Sequence, residues 1–199
     1  MSEERSDMDT TEIVRRLSLF GIPQGDSREV REMLARLVAA ESLSLGELQL
    51  ARDIVKRVRC EDDAAYLFLA AMCISERGGN AFLRPGKGAE LLERAGYLEE
   101  DAKDGMASNE EYRATVRASW SAALSAAESL DGDVVVKRKC DDGDRWFFRR
   151  NLAAVEAVTD ALARREAEVA AAKVCAADEA LSPEELAAAT GFDGFELNK

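Results

Sequence analysis

Residues 137–150 carry the densest chemical signal in this sequence. They hold six basic side chains, Lys137, Arg138, Lys139, Arg145, Arg149 and Arg150, against three acids, with Trp146, Phe147 and Phe148 interleaved. Cations set among aromatic rings are what a single nucleic-acid strand requires: the cations meet phosphates and the rings stack on bases. Arg145, Trp146, Phe148, Arg149 and Arg150 are therefore the candidate contact residues, for a strand or for a partner protein. The simpler expectation is that the rings pack this segment onto its neighbours while the charges face water.

Other chemistries are excluded or weakened by residue type. Histidine is absent, which removes Ser-His-Asp and Cys-His nucleophile systems, histidine-type zinc sites and imidazole acid–base work. The four cysteines stand at 60, 73, 140 and 175 with no C-x-x-C pair, so zinc ribbons and thioredoxin-type motifs are out. That usage suits a reduced, cytoplasmic protein. Gly86-Lys87 has a superficial likeness to a phosphate loop. A Walker A loop needs glycine at 81, where Ala81 stands, and Ser or Thr at 88, where Gly88 stands. The acidic pairs Asp62-Asp63, Glu99-Glu100 and Asp141-Asp142 lack calcium-loop spacing and fall at helix starts or in loops, where solvated acids are ordinary. No catalytic, cofactor-binding or metal-ligating residue is predicted.

The elements that must position the basic-aromatic segment are mostly helical. With 199 residues and 47% hydrophobic composition the chain is long enough for one core without staples. Its net charge of −12 repels phosphate wherever bases are not gathered. After a polar tail at 1–9, which should be disordered, Ile13, Leu17 and Phe20 fall at helical spacing with Gly21 to end the helix. Asp26 or Ser27 can cap a helix with the stripe Val30, Leu34, Leu37 and Val38. Ser44 and Glu47 form a capping-box pattern before Leu48, Ala51, Val55 and Val58. Ala64 to Ser75 is apolar all round, which predicts a central helix surrounded by the others. It is 12 residues long, short of the ~20 a bilayer requires. A short extended piece at 80–83, a small helix at 89–95 and a long helix at 108–130 follow.

Two β-rich stretches, 134–139 and 145–149, flank Asp142-Gly143, which predicts a type I′ hairpin. A long helix from 152 to 174 comes next, then a short one opened by Ser182-Pro183-Glu184-Glu185. The tail 192–199 is apolar, as for a segment that docks or that continues into a longer chain. The predicted fold is mainly α: a bundle of seven to eight helices with one antiparallel β-hairpin. Its parts are a tail at 1–9, a helical core at 10–131, the hairpin at 132–150 and C-terminal helices at 151–199.

Several segments, taken in order, resemble one family. Leu48-Gln49-Leu50-Ala51-Arg52, followed by an acidic linker and the Ala-rich helix through Ile74-Ser75-Glu76-Arg77, is similar to its "L-x-x-A-R" and "L-A-A-A-L-L-S-R" helices. Gly79-Asn80-Ala81-Phe82-Leu83 stands where it has a glycine and a short strand. Gly143-Asp144-Arg145-Trp146-Phe147-Phe148-Arg149-Arg150 is similar to its "G-x-R-L-Y-L-x-R" before a long helix. Leu197-Asn198-Lys199 is similar to its "I/L-N-x-Q-K" step.

The family is the exodeoxyribonuclease V alpha subunit, the RecD helicase of the RecBCD complex, and the resemblance covers the N-terminal region of that subunit over residues 43–199. Its short-strand histidine is missing here, Leu152 replaces an aromatic, and Val155 stands where a glutamate is expected. The resemblance implies a non-catalytic accessory and assembly domain, part of an ATP-dependent 5′→3′ DNA helicase/exonuclease acting in double-strand break repair and recombination. It implies docking to a RecC-like subunit and to the chain's own motor domain, with ATP and magnesium bound only by that motor, DNA contacted at most indirectly, and no membrane. Two rivals remain from the residues alone: a free-standing acidic helical adaptor or DNA mimic, and a single-strand DNA-binding module built on the hairpin.

Overall fold

In the computed structural model, which describes residues 10–25, 27–99, 107–132 and 134–178, the chain forms seven α-helices and one antiparallel hairpin. The helices are α1 (Thr10–Leu19), α2 (Arg28–Ala39), α3 (Leu45–Val58), α4 (Ala65–Arg77), α5 (Pro85–Ala95), α6 (Asn109–Ala127) and α7 (Arg149–Asp178). A 3-10 turn, Glu128–Leu130, extends α6, and the strands are β1 (Val135–Cys140) and β2 (Gly143–Phe148). The fold class expected from the sequence is the one observed. The expected tail at 1–9, the short helix after Ser182 and the apolar tail lie outside the described residues. None of the described helices is long and apolar enough to cross a membrane.

Local chemistry sets the helix starts. Ser27 caps α2 by accepting from the Val30 amide at 3.3 Å. Both halves of a capping box close at Ser44–Glu47 on α3 and again at Ser108–Glu111 on α6. Proline opens α5, four residues earlier than the periodicity suggested, because its missing N–H is no loss in a first turn. Gly21, at φ +61°, ends α1 in the left-handed region that residues with a Cβ rarely adopt.

The core sits around α4. Tyr66, Leu67, Phe68, Leu69, Ala70 and Ala71 are all fully buried, and α2, α3, α5, α6 and β2 all pack on that helix. The acids before it do more than complement its dipole. Asp63 accepts from the Gly25 and Ser27 amides at 2.8 and 3.1 Å, tying the α1–α2 connection to the start of the central helix. The chain divides into two compact units, 1–154 and 155–199. The hairpin belongs to the first, and the second is described only as the remainder of α7.

Two phenols in the core titrate abnormally. Burial pushes Tyr66 up to about 12 and pushes Tyr112 up as well. An acid whose folded value exceeds its unfolded value of about 10 contributes stability that is intact below pH 10 and lost as pH rises through the folded value. Stability is therefore expected to fall from about pH 10, by about 2–3 kcal/mol for Tyr66 alone by pH 12. Phenolate absorbance and circular dichroism followed together check this. Complete ionisation of all three tyrosines with the helical signal intact would contradict it.

Candidate functional site

β1 and β2 pair antiparallel in the register Val135↔Phe148, Lys137↔Trp146 and Cys140↔Gly143. That register makes Asp141 and Asp142 the two turn residues, one step earlier than the Asp142-Gly143 pair the sequence suggested. A type I′ turn needs positive φ at both central residues. Here only Gly143, at +113°, has it.

Alternation along β2 places the three rings. Trp146 and Phe148 point into the main core, where Trp146 is 2% exposed and meets Phe68 edge-on at 5.0 Å between centroids. Phe147 points the other way, into a smaller cluster with Val136 and Leu152, and rests against Phe82 at 5.5 Å. Of the extended piece expected at 80–83, only Leu83 pairs with a strand, and residues 81–82 form a bend. Leu83 forms an isolated bridge with Trp146, each amide donating to the other's carbonyl at 2.8 and 2.9 Å. With helices or this bridge on both faces, three consecutive aromatic residues are all buried.

The basic candidates are partnered. Arg145 donates twice to the Asp142 carboxylate, at 2.8 and 2.9 Å, and lies over the Phe82 ring at 4.6 Å. Arg145 thereby holds the Asp142 carboxyl below its usual range. Arg149 donates to the Gly132 carbonyl at 2.9 Å. Arg150 donates to both Glu76 oxygens at 2.8 Å, and Asn151 joins the same carboxylate. Lys137 bridges Glu128 and Asp144, chiefly Glu128, which raises its ammonium value. Thus the structure brings the five candidates together but divides them between elements: Arg145, Trp146 and Phe148 stand on β2, whereas Arg149 and Arg150, expected in the hairpin, open α7, and internal contacts fix all five to the body. A base could not stack on Trp146 without unpacking it from Phe68.

A second charged locus was missed in the sequence. A cleft of about 420 Å³ opens between the end of α4, the 80–84 segment and α5. Arg84, Lys87, Leu91 and Arg94 line it at i, i+3, i+7 and i+10, one face of α5 and its approach. Lys87 and Arg94 both bond Glu90, whose carboxyl they hold below its ordinary range. Arg84 reaches Asp142 at 3.0 Å and lies over Phe82. The spacing of these three cations is the signal the sequence carries for it. Gly88, where that loop would carry its hydroxyl, lies beneath Trp120 with no room for a Cβ, and Trp120 Nε1 donates to the Pro85 carbonyl at 2.9 Å.

Compared with protein-family models, curated proteins and solved structures, the chain matches none.

Proposed function

We infer that this chain is a non-catalytic assembly domain, the helical accessory part of an ATP-dependent 5′→3′ DNA helicase/exonuclease of the RecD type. Its work is to hold a motor domain against a RecC-like subunit. One observation carries the assembly reading. Four of the seven large apolar side chains exposed among the described residues, Val155, Val158, Leu162 and Val169, fall on α7 at helical spacing. Apolar side chains concentrated in this way mark a surface that meets another protein. The RecD assignment rests on the order of segments across 43–199 and on a hairpin that runs directly into a long helix.

The test is co-purification with the RecC-like subunit encoded in the same genome. The native chain is expected to be retained, and Val158→Glu with Leu162→Glu is expected to abolish retention while the melting temperature holds, since both positions are exposed. The chain alone is expected to hydrolyse no ATP, with or without DNA. ATP turnover by the isolated chain, or retention unchanged in the double variant, would overturn the reading.

A further inference from the structure

We propose that the α5 cleft binds a phosphate group. This inference stands on the cleft alone and does not depend on the assembly reading. The charge balance is the first argument. Three cations, Arg84, Lys87 and Arg94, line the cleft beside a single carboxylate, Glu90. Three cations less one anion leave an excess of two positive charges in the lining, the complement of a phosphate dianion; Arg84's partner Asp142 stands outside the lining and is shared with Arg145. In a chain of net charge −12 such an excess does not arise from composition.

The second argument is the state of the pairs. The side chains of Arg84, Lys87 and Arg94 are 54%, 71% and 75% exposed, while Glu90 is shared between two of them. Exposed pairs of this kind are held by about 0–1 kcal/mol, so a divalent anion can re-partner them. Two guanidinium forks and one ammonium supply the donors that phosphate takes.

Shape is the third argument. The cleft has a volume in the range of small-ligand sites, and Phe82, Leu83 and Leu91 give it an apolar side against which the rest of a phosphorylated molecule can lie.

Calorimetric titration of the full chain with inorganic pyrophosphate at constant ionic strength tests the proposal. One site is expected. Lys87→Gln and Arg94→Gln should each weaken it by about tenfold or more, as the loss of one charge-assisted bond requires. Glu90→Gln should tighten it, because it frees two cations from their competitor. That opposite sign distinguishes a built site from general attraction to basic side chains. Lys87 and Arg94 are exposed and Glu90 is half-buried, and unchanged melting temperatures confirm that the variants fold. A dinucleotide with and without a 5′-phosphate identifies the source. Binding only when phosphorylated assigns the cleft to a strand end, and binding of pyrophosphate alone assigns it to a free phosphate compound. No binding of pyrophosphate or of the phosphorylated dinucleotide, equal binding of both dinucleotides, or a Glu90→Gln variant weakened like the others would overturn the proposal.

Discussion

Replacing Arg36 by methionine is expected to lower the free energy of unfolding by about 3–5 kcal/mol, although the two side chains are similar in length. Arg36 is 2% exposed. Its Nε donates to the Gly96 carbonyl at 2.7 Å, and its two other nitrogens donate to the Ala107 carbonyl and to Asn109 Oδ1. The guanidinium plane also lies 4.8 Å from the centre of the Tyr112 ring. These contacts gather the end of α5 and the start of α6. Asn109 extends them by exchanging bonds with the Leu98 backbone, and Tyr112 by donating to the Leu92 carbonyl at 3.0 Å.

Methionine fills the space and strips the donors, so the loss measures polar satisfaction more than packing. Arg36→Lys keeps the charge but lacks the planar fork, and should recover less than half of the deficit. Urea unfolding followed by tryptophan fluorescence reads both. A methionine variant within about 1 kcal/mol of the native protein would show that this hub is dispensable.

Trp146→Ala should cost about 3–5 kcal/mol, the usual range for emptying a buried tryptophan site. The indole is among the largest fully buried side chains and stands between α4 and the hairpin, against Phe68. Phe68 also stacks on Trp120 at 6.0 Å, so the cavity would open in the middle of a three-ring cluster. Had Trp146 served as a stacking platform for nucleic acid, its removal would reduce single-strand affinity and leave stability near the native value. The two roles therefore predict opposite pairs of results. Thermal melting and salt-dependent DNA titration on the same variant decide between them. A variant as stable as the native chain but with DNA binding selectively lost would reinstate the hairpin as a strand-binding surface.

Much of the architecture was legible because its causes are local. A capping box and a glycine stop act within four residues of the backbone groups they serve, and Ser44–Glu47 does in space what its spacing implies. The all-apolar stretch of α4 could only be a central helix. The hairpin was legible in existence but not in detail, because Asp142-Gly143 and Asp141-Asp142 differ by one residue of register that the turn letters do not settle. Arg36 was not legible as a buried residue. It stands away from the apolar stripe of α2 and is buried where Gly96, Ala107 and Asn109 meet that second face. Periodicity within one helix holds no information about partners 60 to 73 residues away.

The basic-aromatic segment shows where the division falls. The sequence by itself determined that a hairpin rich in cations and rings would fall within residues 132–150, although its last two arginines open α7, and that a histidine-free chain would lack imidazole chemistry. Whether those rings would face water or the core was decided only when Leu83 bridged Trp146, Phe68 met its edge, and Glu76 and Asp142 took up the arginines. The cleft on α5 is likewise a tertiary product. Its cations lie within one helix and its approach, but the cleft exists because Ser75 at the end of α4 and the segment through Asn80, Phe82 and Leu83 supply its other walls. Backbone preference is a short-range property of neighbouring residues. Exposure and pairing depend on what the rest of the chain brings alongside.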